Sequence, residues 1–136
     1  MILDHYRAVQ ALLPSGLQSY MFSVPGKPVF PYVVLWGTLG VEASGDESGG
    51  SLGDVPRSFS MRVRATYVGL SPDSMVITAQ RVRAALKRAQ PAVAGRVCSK
   101  LRQDVLTDAQ TDDDVVIDGS RPIFAVDEFS FVSDAA

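Results

Sequence analysis

Few side chains in this 136-residue chain could carry out chemistry. There is one histidine, His5, and one cysteine, Cys98. A catalytic triad needs a histidine beside its nucleophile, and a zinc site needs several clustered Cys or His ligands. His5 stands beside Tyr6 at the start of an apolar helical pattern and is interpreted as a structural histidine, and Cys98 as a buried, inert thiol. The sequence therefore predicts no catalytic residue, no cofactor and no metal site.

Two further segments only superficially match ligand-binding motifs. One contains four closely spaced aspartates: Asp112, Asp113, Asp114 and Asp118. A calcium-binding EF-hand loop is excluded because Val116 and Ile117 occupy ligand or turn positions and no glutamate closes the loop. The other, SGGSLG at 48–53, lacks the lysine of a phosphate-binding loop. We interpret the aspartates as a solvated acidic loop.

Composition indicates one globular domain spanning residues 1–136. Hydrophobic residues make up 46% of the chain, charged residues 21%, and the formal net charge is −2. These values exclude wholesale disorder, and no apolar run reaches the roughly 20 residues that span a bilayer. The first residues lack the pattern of a secretory signal, and a single cysteine fits a reducing compartment. We expect a soluble intracellular protein.

Charge is distributed unevenly along the chain. Residues 57–103 contain ten basic and one acidic residue, whereas residues 104–136 contain nine acidic and one basic residue. Basic and acidic strands could lie side by side and compensate each other within one chain. Alternatively, opposite poles on the surface would favour head-to-tail contacts between copies that close into a ring. A nucleic-acid interface is the weakest alternative, because aromatic residues are not interleaved with the basic ones.

Two helices are predicted. The first has apolar residues at helical spacing and stops at Pro14: Ile2, Tyr6, Val9 and Leu13. The second begins at Ser71, a good N-cap that is followed by Pro72. Its apolar stripe consists of Met75, Ala79, Val82 and Leu86.

Four strands are predicted at 32–39, 57–68, 96–104 and 122–132, with a short one at 20–22. The clearest is 57–68, where Phe59, Met61, Val63, Ala65 and Tyr67 alternate with polar residues. In 96–104, Val97 and Leu101 are expected to face inward. Residues 40–56 and 105–120 are expected to be flexible loops. The predicted fold is α+β: a mostly antiparallel sheet of about four strands, two helices packed on one face, and a long hairpin loop at 40–56.

The order of these elements resembles the tail-completion or tail-terminator proteins of long-tailed, siphovirus-type phages, especially those of actinobacteriophages. The resemblance covers nearly the whole chain. It is carried by PYVVL (31–35), SFSMRVRATYVG (58–69), SPDSMVITAQRVRAAL (71–86), RVCSKLRQD (96–104) and RPIFAVDEFSFV (121–132).

The resemblance implies a non-enzymatic ring, usually a hexamer, that caps the tail tube, ends its polymerisation and provides the surface for head attachment. Its implied partners are further copies of itself, the tail-tube protein and a head–tail connector protein. DNA would only pass through the lumen, and no membrane or cofactor is implied. The implied location is the neck end of the virion tail, after assembly in the host cytoplasm.

Charged side chains are the candidate contacts of such a ring with its neighbours. The polar side of the strand at 57–68 is available to a neighbouring copy, and acidic loops suit a docking site or a lumen that DNA passes through. The candidates are Arg57, Arg62, Arg64, Asp46, Glu47, Asp54, Asp112, Asp113 and Asp114. The alternative functions are a head–tail connector or head-closure protein and, less favoured, a basic-surfaced nucleic-acid-binding module.

Overall fold

Two helices and seven strands form the described part of the chain, which comprises residues 1–42, 58–117 and 119–136 of this computed structural model. In chain order they are α1 (Ile2–Gln10), β1 (Ser19–Met21), β2 (Tyr32–Gly37), β3 (Val41–Glu42), β4 (Ser58–Gly69), α2 (Pro72–Leu86), β5 (Arg96–Cys98), β6 (Arg102–Thr111) and β7 (Ile123–Ala135). No helix in these ranges has the length and apolar character needed to cross a membrane.

The sheet is built around β4 and β7. They pair antiparallel without interruption from Ser58 opposite Asp134 to Gly69 opposite Ile123. On the outer side of β4 lie β2 and β3, and on the outer side of β7 lie β5 and β6. Strand β1 pairs with β2 in parallel, so the sheet is mixed. It curls into a half-barrel. The prediction of about four mostly antiparallel strands therefore matches only roughly, because β3 was not predicted and the single strand predicted at 96–104 is two strands. Strand β1 corresponds to the short strand predicted at 20–22.

Both helices pack on one face of the sheet, as predicted. The alternating residues of β4 from Phe59 to Tyr67 are buried beneath them. The helices contribute Tyr6 and Val9 from α1, and Met75, Val82 and Leu86 from α2. Burial of this continuous apolar layer is the main stabilising contribution to the fold.

Each helix begins or ends for a local reason. The side chain of Ser71 accepts a hydrogen bond from the backbone N–H of Ser74 at 3.2 Å, and Pro72 occupies the first helical turn, as predicted. Helix α1 ends at Gln10 rather than Leu13. There, the N–H groups of Leu12 and Leu13 bond carbonyls only three residues back, which tightens the chain into a turn before Pro14.

The predicted strand at 96–104 is two strands. Strand β5 ends at Cys98, and the chain then bonds to the end of α2, where Leu101 N–H donates to the Ala89 carbonyl at 2.7 Å. Leu101 is buried as predicted, but the prediction for Val97 is wrong, since its side chain is 57% exposed. Val97 lies opposite Asp134 on the face without helices.

The prediction of a flexible loop at 105–120 is wrong for residues 105–111, which belong to β6. The strand is nearly all exposed and has no apolar alternation, so its sequence lacks the usual strand pattern. Backbone pairing with β7 holds it, with two irregularities in register between Val105 and Gln110. Of the predicted loop at 40–56, residues 41–42 form β3, and residues 43–56 lie outside the described residues.

Gly69 lets the end of β4 approach the start of α2. A Cβ atom at this position would stand 2.6 Å from the backbone nitrogen of Met75 and 2.5 Å from Ser74 Oγ. We expect Gly69→Ala to lower the free energy of unfolding by about 1–3 kcal/mol, since the helix must shift to relieve the contact. Chemical denaturation measures the change. Gly26→Ala is the matched control, because nothing lies within 4 Å of its Cβ position. Equal effects of the two substitutions would contradict this packing.

Candidate assembly interface

The side of the sheet opposite the helices is here called the helix-free face. It consists of the even-numbered residues of β2 (Tyr32–Trp36), β4 (Ser58–Val68) and β7 (Phe124–Asp134). One half is buried: Tyr32, Val34, Val68 and Val126 are each at most 9% exposed, and the rings of Tyr20 and Phe30 pack against Tyr32. The other half, around Ser60 and Val132, is exposed. Only this second half is available to another molecule.

Arg64 forms its contacts within the chain. It lies in a row with Trp36 and Glu128, set by the strand register. Its Nε donates to Glu128 Oε2 at 3.2 Å, and its guanidinium carbon lies 5.0 Å from the centre of the Trp36 ring. Trp36 in turn donates its indole N–H to Thr66 Oγ1 at 2.8 Å. The row fixes Arg64 half-buried, so this predicted interface residue has a structural role.

Arg62 is placed differently. Its side chain is exposed, and its row continues through Ser130 on β7 to the exposed Arg102 on β6. Within the described ranges neither arginine forms an ion pair with a carboxylate. The exposed half of the helix-free face thus presents two cations, and Arg62 remains a candidate contact residue.

The predicted acidic residues Asp112, Asp113 and Asp114 form the turn after β6. The carboxylate of Asp112 accepts the backbone N–H of Asp114 at 3.2 Å, and Asp113 faces Arg121 at 3.4 Å in an exposed ion pair. Burial, followed by the fields of Tyr20 and Asp112, raises the pKa of Tyr32. The Asp112 N–H donates to the Pro122 carbonyl at 2.8 Å, which holds the turn beside the start of β7.

The structure does not gather the candidate residues into one site. Arg62 and Arg64 lie in the middle of β4, whereas Asp112 follows Thr111, which is opposite Ile123 at the far end of β7. The other candidates, Arg57, Asp46, Glu47 and Asp54, lie outside the described residues.

A buried charge cluster ties α2 to the sheet. Asp127 of β7 is 1% exposed and accepts two hydrogen bonds from Arg83, at 2.6 and 2.8 Å. The Tyr67 hydroxyl donates to the same carboxylate at 2.6 Å, and the Gln103 amide at 3.4 Å. Hydrogen bonding to Asp127 raises the pKa of Arg83, and burial is the largest cause of the raised pKa of Tyr67. A signal was present in the sequence, because Asp127 shares the inward alternation of Phe129 and Phe131.

His5 belongs to a second buried cluster. Its Nε2 lies 2.8 Å from Ser133 Oγ, and its Nδ1 lies 2.6 Å from the Met1 carbonyl. The Met1 carbonyl can only accept, so Nδ1 donates to it, and in the neutral ring Nε2 then accepts the hydroxyl proton of Ser133. Arg96 Nε donates to the same hydroxyl oxygen at 2.5 Å. The serine–histidine pair has the spacing of a catalytic dyad, but both side chains are 0% exposed. The pair joins α1 to β7, and His5 is a structural histidine, as predicted.

Folding neutralises part of the uneven charge and leaves the rest on the surface. Arg64 pairs with Glu128 and Arg83 with Asp127, so basic and acidic segments do compensate each other within the chain. Exposed cations remain on α2 and just after it, and exposed aspartates remain on β6 and its turn. The first alternative from the sequence, compensation within one chain, is therefore realised in part, and head-to-tail contacts between copies stay a prediction. No three side chains that could hold a metal ion come together in the part of the chain that the structure describes.

Comparison with known proteins finds a similar fold but no matching family. No family model matches the sequence, and no curated protein matches it. A chain in the solved structure "Virion of native gene transfer agent (GTA) particle" superposes with a TM-score of 0.54. The match covers 98% of this chain and 90% of that chain, at 18% identity. At this identity the likeness is one of fold, and fold alone does not fix function.

Removal of Arg83 should strongly destabilise the protein. Arg83→Ala leaves the buried Asp127 without its cation, and we expect a loss near the lower end of the roughly 3–5 kcal/mol seen for broken buried pairs, since Arg83 itself is partly solvated. Arg81→Ala, on the exposed side of the same helix, should change the free energy of unfolding by less than about 0.5 kcal/mol. Urea denaturation compares them. A near-zero effect of Arg83→Ala would contradict a stabilising role for the buried charge cluster.

The cluster also predicts sensitivity to alkaline pH. Because the pKa of Tyr67 is raised in the folded protein, its proton is held more tightly there than in the unfolded chain. The resulting stability is complete below the unfolded pKa of about 10 and is lost as pH rises above it. We expect the melting temperature to fall above about pH 10, and to fall less steeply in Tyr67→Phe. Identical slopes for the variant and the wild type would count against this account.

Proposed function

We propose that this chain is a structural protein of a phage-like virion, which forms a ring that caps the tail tube, ends its polymerisation and provides the surface for head attachment. The observation that carries the proposal is the fold shared with a chain of a gene transfer agent virion over 98% of this chain and 90% of that one. This fold likeness and the sequence resemblance to phage tail proteins both support a structural protein of a phage-like virion.

The surface supports assembly from identical copies. Among the described strands only β7 pairs with β6, so the other edge of this ten-residue strand offers backbone donors and acceptors to a neighbour. Exposed cations and exposed aspartates lie on different elements, which favours a head-to-tail contact over a symmetric one. Such a contact repeats from copy to copy and closes into a ring when the rotation permits.

In this role the protein does no chemistry. Its partners are further copies of itself, the tail-tube protein on one side and a connector protein on the other, and DNA passes through the lumen. We propose a hexamer, located at the neck end of the tail.

A head–tail connector or head-closure protein is the second candidate. The same fold likeness favours it, because the matched chain belongs to the structure of a whole virion and the likeness fixes no position within that particle. The two functions differ in the partner that binds first: the tail-tube protein for a terminator and the portal-side protein for a connector.

Polymerising tube protein provides the test. Added to tube subunits in increasing amounts, this protein should bind at tube ends and shorten the mean tube length, because each capped end stops growing. Electron microscopy with a labelled chain measures both effects. Binding to the portal-side protein with no effect on tube length would support the connector instead. Absence of binding to either would contradict a role at the neck.

A further inference from the structure

The outer face of α2 and the residues just after it carry an unusual mixture of side chains. This surface, here called the outer face of α2, consists of the exposed residues Val76, Ile77, Arg81 and Ala84 of the helix and the exposed Lys87 and Arg88 just after it. Val76 is 44% and Ile77 54% exposed. Ile77 lies about one helical turn before Arg81, so exposed apolar side chains and cations follow one another along this side of the helix, an arrangement that suits contact with another protein.

Among the residues that the structure describes, no acidic side chain pairs with the cations of this face. Arg83 lies on the inner side of the helix, where it binds Asp127. Within the described ranges, no ion pair links Arg81, Lys87 or Arg88 to a carboxylate. The only acidic residue of the helix, Asp73, lies in its first turn, away from the three cations.

A second surface carries the same mixture with the opposite charge. The acidic arm, defined as residues 104–117, contains five aspartates and no lysine or arginine. Its exposed apolar side chains are Val105, Leu106, Val115 and Val116, which are between 38% and 61% exposed. Leu106 lies close in sequence to Asp108, and Val115 follows Asp114 directly, so exposed apolar and acidic side chains lie near one another along the arm.

We propose that the acidic arm of one copy docks on the outer face of α2 of the next. The docking partner is a second copy of this chain, because the acidic arm of that copy supplies both apolar contacts and the negative charge that the helix face lacks. The two surfaces differ, so the contact is heterologous and each copy has one of each free for a further neighbour. Charge complementarity would set the register and speed the encounter. The inference rests on the proposed ring and names the surfaces that form it.

Two charge-reversed variants test the contact. Variant one, Arg81→Glu with Lys87→Glu and Arg88→Glu, makes the helix face acidic. Variant two, Asp108→Lys with Asp113→Lys and Asp114→Lys, makes the arm basic. Each alone should self-associate at least about a hundredfold more weakly than the wild type, because like charges then meet at every contact. Light scattering and sedimentation measure the association.

Mixing the variants gives the sharper result. In an equimolar mixture each basic arm meets an acidic helix face and each acidic arm meets a basic one, so assembly should return. The restored particles should contain equal numbers of the two variants in alternation, which native mass spectrometry resolves. Both sets of substitutions in one chain should also restore assembly.

A control with the same change in net charge as variant one separates this contact from a general effect of charge. Arg7→Glu with Lys27→Glu and Lys100→Glu reverses three exposed cations elsewhere and should assemble as the wild type does. Circular dichroism confirms that each variant folds.

Variants that assemble normally, or a mixture that fails to restore assembly, would overturn the inference and leave the proposed ring standing. A wild-type protein that stays monomeric at every concentration and also in the presence of tube protein would overturn both.

Discussion

The antiparallel pairing of β4 with β7 is the constraint on which the rest of the structure depends. It runs without a break for all 12 residues of β4, so every side chain on the two central strands has a fixed face and a fixed neighbour. The inward set forms the floor of the core under both helices. The outward set forms the rows of the helix-free face. Shifting the register by one residue would exchange the two sets and expose the core.

The same pairing determines which charged side chains are paired within the chain. It joins a basic strand to an acidic one, which places Arg64 beside Glu128 and brings Asp127 under Arg83. These pairs stabilise the fold, and their side chains are not free to contact another molecule. Of the charges that remain exposed, Arg62 lies on β4, and many others lie outside the central pair, on the outer face of α2 and on the acidic arm. The centre of the sheet is therefore partly neutralised, and much of the uncompensated charge lies at the periphery, where the proposed head-to-tail contact would use it.

The elements with a strong local pattern could be predicted from the sequence. Alternation in β4, the cap at Ser71 and the apolar stripe of α2 each reflect short-range physics, and the structure confirms them. Strand β6 could not be predicted, because an exposed strand held by backbone pairing to a distant segment has no apolar period. The interface residues were only partly predictable. A charge at an exposed strand position looks the same in sequence whether it pairs across the sheet, as Arg64 does, or remains exposed, as Arg62 does.

Counting the copies in the assembled particle tests the central claim most directly. Native mass spectrometry at rising protein concentration, with and without tube protein, should show one closed species with a fixed number of copies, since complementary surfaces that meet around a ring leave none unsatisfied. A mass that remains that of the 14.6 kDa monomer throughout, or an open series of ever longer oligomers, would contradict the account.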